Sequence, residues 1–215
     1  MNQSSEHRAL APQGHRSLFP KARVDALTDG VFAFAMTLLV LDIRMPDGLT
    51  IEDGRALAQH LLSLGHETFT YLVSFLVLGA FWRGTIEARA SVEQVGQGAV
   101  SICLWMLFLV TVVPFSSGLV SRYGQFTPAI LVYAANMGAL ALLVVALRYF
   151  DVVPERRSLT AAFGPRLPLF LASVLVSALL GVLAPHFAMY AYLLNVARRL
   201  PFWPAPAADA GEAKN

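Results

Sequence analysis

The sequence predicts an all-α polytopic membrane protein, with six transmembrane helices per chain and both termini in the cytoplasm. Three observations lead to this prediction. First, 56% of the 215 residues are hydrophobic, 14% are charged and the mean hydropathy is +0.58, whereas a soluble domain carries about 25% charged residues. Second, the apolar residues form runs long enough to cross a bilayer. Third, Lys and Arg lie mostly on one side of those runs.

Six apolar stretches approach the length of about 20 residues that a spanning helix needs. They are residues 24–43, 68–85, 99–120, 129–149, 167–183 and 187–203. The alternation typical of a membrane β-barrel is absent, because runs such as 142–145 are continuously apolar. The last stretch is the weakest of the six, since Asn195, Arg198 and Arg199 lie in its second half.

The distribution of basic residues predicts the orientation. With six spans and a cytoplasmic N-terminus, only Arg44, Arg55 and Arg122 of the 16 Lys and Arg residues lie on the far side. We therefore interpret Arg83 and Arg89 as charges that set the orientation. Asp25 and Glu87 are interpreted as interfacial charges.

The chain divides into three parts: a polar N-terminal tail (1–20), a six-helix transmembrane domain (21–203) and a disordered C-terminal tail rich in Pro and Ala (204–215). The tail before the first span contains no apolar signal segment, so we expect that span to direct insertion. Between the first two spans, a turn at 46–48 precedes a predicted short amphipathic helix at the outer interface. The expected location is the inner (plasma) membrane of a bacterium.

Several classes of function are excluded by composition and motifs. The net charge of +2, without a basic helix, gives no support for a nucleic-acid partner. Cys103 is the single cysteine, and the five histidines lack metal-ligand spacing, so we expect no metal site and no cofactor. Neither a nucleophile elbow nor a glycine-rich phosphate loop occurs, so we expect no catalytic residues and no enzyme.

The first span carries the most distinctive pattern. Phe34, Leu38 and Leu41 share one face of a helix, with Thr37 beside them. Helix packing or lipid contact is the simpler interpretation of this stripe. Asp29 is costly at membrane depth and is expected to face a partner or a water-filled cavity, although it also suits the capped start of a helix.

Residues 23–43 read Arg-x-x-x-Leu-Thr-Asp-Gly-Val-Phe-Ala-x-x-x-Thr-Leu-Leu-Val-Leu-Asp-Ile. This run resembles the signature of the transmembrane protein 175 family, the endolysosomal potassium channels and their bacterial homologues. The family pattern has Phe-Ser-Asp where this chain has Leu27-Thr28-Asp29. Further support comes from Trp82, from Pro114-Phe115-Ser116-Ser117 and from Tyr123-Gly124. The resemblance implies one six-helix unit per chain and assembly as a homotetramer.

The resemblance also implies a function, a potassium-preferring cation leak channel with a hydrophobic constriction lined by the first helix of each subunit. Phe34, Leu38 and Leu41 would lie along the conduction axis, with Thr37 nearby. The structural polar network of the family would comprise Arg23, Thr28, Asp29 and Trp82. The chain has no Thr-Val-Gly-Tyr-Gly filter, so selectivity would arise from size and dehydration.

Two positions depart from the family pattern. Phe34 stands where relatives usually carry a narrowing isoleucine, and Thr85 stands where they commonly carry a histidine, three residues after the tryptophan. The implied partners are the lipid bilayer, further copies of the chain, and potassium as the permeant ion, with sodium or protons as further candidates. Two alternatives stay open: a proton-coupled secondary transporter or proton pathway using Asp29, and a non-conducting structural membrane protein.

Overall fold

Residues 18–44, 53–89, 94–151 and 167–193 are described by a computed structural model. A strand, β1 (Leu18–Pro20), leads into α1 (Lys21–Leu38), which continues as a 3-10 helix over Leu39–Asp42. The elements that follow are α2 (Gly54–Ser63), α3 (Gly65–Arg89), β2 (Gln94–Gly96), α4 (Gln97–Tyr123), α5 (Thr127–Asp151), α6 (Leu167–Leu183) and a second 3-10 helix (Pro185–Tyr192). Residues 1–17 of the predicted N-terminal tail (1–20), the predicted C-terminal tail (204–215) and the turn at 46–48 lie outside these ranges, and residues 18–20 of the N-terminal tail form β1.

Within the described residues, four helices are long and apolar enough to cross a membrane. They are Lys21–Asp42, Gly65–Arg89, Gln97–Tyr123 and Thr127–Phe150, which confirms the first four predicted spans. The fifth predicted span coincides with α6, whose apolar part, Pro168–Leu183, is shorter. The sixth begins as the second 3-10 helix, and its remainder, 194–203, lies outside the described residues. Six spans per chain therefore stay a prediction.

The helices pack through the periodicity that the sequence displays. On α1 and its extension the buried residues follow one another at intervals of three or four, so they form one stripe: Val24, Thr28, Phe32, Ala35 and Leu39. This stripe packs against α3 and α4, and α5 covers the opposite side of α4. The core of the bundle lies between these four helices.

A short antiparallel pair is the one part of the described fold that is not helical. In it, β1 pairs with β2, with Leu18 opposite Gly96 and Pro20 opposite Gln94. The all-α prediction missed this pair because three-residue strands leave no periodicity to detect. The pair ties the start of α1 to the start of α4, since each strand runs directly into its helix.

The short helix α2 and the passage of α4 through Pro114 are two local features of the helices. The amphipathic helix is confirmed as α2, whose first turn is capped by the Asp53 carboxylate accepting from the Ala56 amide at 2.7 Å. Pro114 lies inside the predicted third span, and α4 does continue past it to Tyr123. Ser116 donates to the Val113 carbonyl of the same helix at 3.1 Å.

Candidate functional site

The first helix has two faces of different character. The buried stripe turns toward the bundle, whereas the side chains of Phe34 and Leu41 are 64% and 53% exposed. Thr37 is also exposed, and Leu38 is half-buried at the boundary. All four residues predicted to line a pore thus lie on or beside the face that one subunit leaves uncovered.

The backbone and small side chains shape this outward face. Gly30 and Ala33 are exposed on it one turn before the pore-lining candidates, and small residues allow helices to approach closely in a membrane. The Thr37 hydroxyl donates to the Phe34 carbonyl at 2.7 Å. The hydroxyl proton of Thr37 is therefore used in this hydrogen bond, and the lone pairs of the hydroxyl oxygen are the part that a cation could contact.

The predicted polar network separates into an exposed pair and a buried cluster. In the exposed pair, the indole N–H of Trp82 donates to Asp29 Oδ1 at 2.8 Å, joining α3 to α1. Thr85 takes no part, because its hydroxyl donates to the Trp82 carbonyl of its own helix at 2.7 Å. Arg23 is exposed and forms no hydrogen bond or ion pair with the described part of the chain.

The buried cluster surrounds Thr28. The Thr28 hydroxyl donates to the Val24 carbonyl at 2.8 Å and lies 3.5 Å from Cys103 Sγ of α4. Arg89, at the end of α3, is only 1% exposed. Its Nη1 donates to Asp25 Oδ1 at 3.2 Å and lies within 3.5 Å of Thr28 Oγ1. The helices α1, α3 and α4 therefore meet around Thr28.

Sequence reasoning missed the structural part of Arg89, which we interpreted as an orientation charge at the membrane surface. Asp25 and Arg89 lie at the same predicted end of adjacent spans. The opposite charges of these two residues were the sequence feature from which an ion pair could have been predicted. An orientation charge can also be an internal ion pair, so the two interpretations are compatible.

At the other end of α1, the Asp42 carboxylate packs on Gly118 of α4. A Cβ atom at Gly118 would lie 2.5 Å from Asp42 Oδ1, which is closer than atoms can approach. Arg44 and Arg122 are close enough to act on this carboxylate electrostatically. The first helix is thus held by polar contacts with α3 at its start and by packing against Gly118 of α4 at its other end, while its middle presents the exposed apolar face.

No three His, Cys, Asp or Glu side chains converge within the ranges described above. Four helices long and apolar enough to cross a membrane, the first helix among them, define a multi-pass α-helical membrane protein.

Comparison with known proteins gives the family. The model of the family described as "Endosomal/lysosomal potassium channel TMEM175" matches residues 23–114, which include the whole signature run. A potassium channel of Streptomyces collinus is 35% identical over 130 residues, covering 58% of this chain and 61% of the relative. A potassium channel of Chamaesiphon minutus is 34% identical over 126 residues, covering 56% and 60%. The matched region thus spans about three fifths of each curated relative.

The fold agrees with these matches. The crystal structure of a lysosomal potassium-selective TMEM175 homologue from Chamaesiphon minutus superposes with a TM-score of 0.70 and 27% identity, covering 82% of this chain and 94% of that one. The chain is therefore similar to the TMEM175 family in sequence over residues 23–114 and in fold, in agreement with the resemblance seen in the first span. This is a family of ion channels and not of enzymes. The roles of individual residues in the first helix stay predictions.

Proposed function

We propose that this protein is a potassium-preferring cation leak channel whose constriction is formed by α1 from each subunit of a homotetramer. Phe34, Leu38 and Leu41 form the narrow apolar part of the path, and Thr37 contributes a hydroxyl beside it. The observation that carries the proposal is the exposure of Phe34 and Leu41 in a single subunit, on the helix that bears the family signature.

The exposed stripe requires a neighbour that is either lipid or protein. Four copies arranged with α1 toward a common axis would cover Phe34 and Leu41 with each other and leave a narrow passage between them. The exposed Gly30 and Ala33 on the same helix would allow these copies to approach closely. The anchored ends of α1 support this arrangement, because a helix that lines a passage must hold its position while ions move.

Selectivity follows from the chemistry of an apolar constriction. Phe and Leu side chains offer no oxygen atoms to replace the water that a cation loses, so passage depends on how easily water is removed. Potassium holds its hydration shell less tightly than sodium, and this favours potassium. A ring of phenyl groups at position 34 is bulkier than an aliphatic ring, so Phe34 is expected to limit the conductance.

The proposal includes the placement in the membrane. Six apolar stretches predict six spans, and the distribution of Lys and Arg predicts cytoplasmic termini. The expected location is the inner (plasma) membrane of a bacterium. A cysteine-accessibility experiment with cysteines introduced at the termini, in the Cys103→Ala background, tests this orientation.

Potassium flux into liposomes containing the purified protein tests the function. We expect Phe34→Ala to raise the flux severalfold by widening the narrowest point. The matched control is Phe187→Ala, because Phe187 is similarly exposed, at 61%, but lies on the second 3-10 helix. An unchanged flux in Phe34→Ala, or no cation flux from a folded oligomer under any gradient, would refute the constriction.

The same assay separates the channel from a transporter. Flux through a channel rises with the ion gradient without saturating at millimolar concentrations, and Asp29→Asn leaves it largely intact. Saturable flux that Asp29→Asn abolishes would indicate a transporter instead.

A further inference from the structure

A cavity of about 160 Å³ lies at the end of the bundle where α4 finishes. Its polar walls come from four residues in three segments that are far apart in sequence. They are His66 in the first turn of α3, Ser121 in the last turn of α4, Gln125 in the following turn and His186 at the start of the second 3-10 helix. None of the residues that line it is Lys, Arg, Asp or Glu.

One of these groups lacks a protein partner. Ser121 is 6% exposed, and its hydroxyl oxygen has no hydrogen-bond partner among the described residues. A buried hydroxyl without a partner costs free energy comparable to a lost hydrogen bond. Its position in the wall of the cavity indicates that something within the cavity satisfies it.

The chemistry of the walls favours a cation over an anion. The cavity is at the carboxyl end of α4, where the helix dipole stabilises positive charge. Neutral imidazole nitrogens are ligands for Zn²⁺ and similar divalent metals, whereas Mg²⁺ and Ca²⁺ prefer oxygen atoms. Arg122 follows Ser121 in sequence, but it lies close enough to Asp42 to act on that carboxylate and does not line the cavity.

We propose that this cavity binds a divalent transition metal ion such as Zn²⁺ through the imidazoles of His66 and His186. Ser121 and Gln125 supply oxygen atoms, directly or through water, to complete the coordination. Two histidines are fewer than the three or four protein ligands of catalytic and structural zinc sites, so the affinity is lower than theirs. The sequence gives no sign of this site, because the two histidines are 120 positions apart.

Calorimetric titration of the full-length, untagged protein in nanodiscs with Zn²⁺ tests the proposal. We expect His66→Ala and His186→Ala each to raise the Kd for Zn²⁺ about tenfold or more, because each removes one of two nitrogen ligands. His60→Ala is the matched control, since His60 lies on α2, outside the cavity walls, and should leave the Kd unchanged. Ser121→Ala should have a smaller effect than either histidine variant.

The thermal unfolding of each variant without metal shows whether it is folded. Zn²⁺ should raise the unfolding temperature of the wild type and of His60→Ala, but not that of the histidine double variant. No binding by the wild type, or wild-type binding by both single histidine variants, would overturn the site. The assay measures binding and not flux, so its outcome is independent of the proposed channel function.

Discussion

The two faces of the first helix differ in burial: the other helices of the subunit cover the inward face and leave the outward face exposed. On the inward face, Thr28 and Phe32 are buried, and the Thr28 hydroxyl accepts from Arg89 of α3 at 3.5 Å. On the outward face, Phe34 and Leu41 are exposed on the same helix. A change on the inward face should therefore alter folding, and a change on the outward face should alter assembly and conduction. The following predictions test that separation.

The largest expected effect belongs to the buried guanidinium. Arg89→Ala removes the buried group that joins α3 to α1 and leaves the Asp25 carboxylate with only Lys21 among the described residues, whose ammonium lies 4.0 Å away. Breaking a buried ion pair costs about 3 kcal/mol or more of unfolding free energy. The estimate is taken at the low end because Asp25 is itself partly exposed. Thermal unfolding in detergent should show the loss, and little folded oligomer should be recovered.

Arg83→Ala is the matched control, because Arg83 and Glu87 form an ion pair on the exposed side of the same helix, 3.3 Å apart. An exposed pair contributes at most about 1 kcal/mol. Equal destabilisation by the two substitutions would show that the buried ion pair of Arg89 contributes no more to stability than an exposed one. The double variant Asp25→Asn with Arg89→Met should lose less stability than the separate changes together, since it leaves no unpaired charge.

The spans were predictable because hydropathy and length are local properties. Four of the spans can be recognised without any tertiary information, because each contains enough consecutive apolar residues to cross a bilayer. They are residues 24–43, 68–85, 99–120 and 129–149. The outward stripe was also predictable, since Phe34 and Leu41 share a helix face whatever surrounds it.

Other features depend on contacts between distant segments and left no local signal. The ion pair of Asp25 with Arg89 joins residues 64 positions apart, and the pattern around each looks like that of an ordinary charged helix end.

A smaller effect is expected from the contact at the far end of α1. In Gly118→Ala, the added methyl group would occupy the position of the Asp42 carboxylate, so Asp42 and the 3-10 turn that carries it must move. Overpacking of this kind costs about 1–3 kcal/mol. The unfolding temperature of Gly118→Ala should be lower than that of the wild type. Adding Asp42→Ala to the same chain should restore part of the lost stability.

Gly79→Ala provides the comparison for Gly118→Ala, because its new methyl group would meet only Met36 Cε at an ordinary distance of 3.6 Å. We expect that variant to be as stable as the wild type or slightly more stable, since alanine favours helix. If both alanine substitutions change the unfolding temperature equally, the position of Asp42 does not depend on the space at Gly118.

The smallest expected effect comes from the indole of Trp82, which donates to Asp29 on the exposed side of α1. Trp82→Phe removes this hydrogen bond while keeping most of the apolar surface, so we expect a loss of about 1 kcal/mol. Trp105→Phe serves as the control, because Trp105 is 65% exposed and its described contact is the ring of Phe108. Asp29→Asn retains an oxygen that can accept from Trp82, and it should therefore be more stable than Trp82→Phe. Were Asp29→Asn the less stable of the two, the charge of Asp29 and not its hydrogen bond would be what holds α1 to α3.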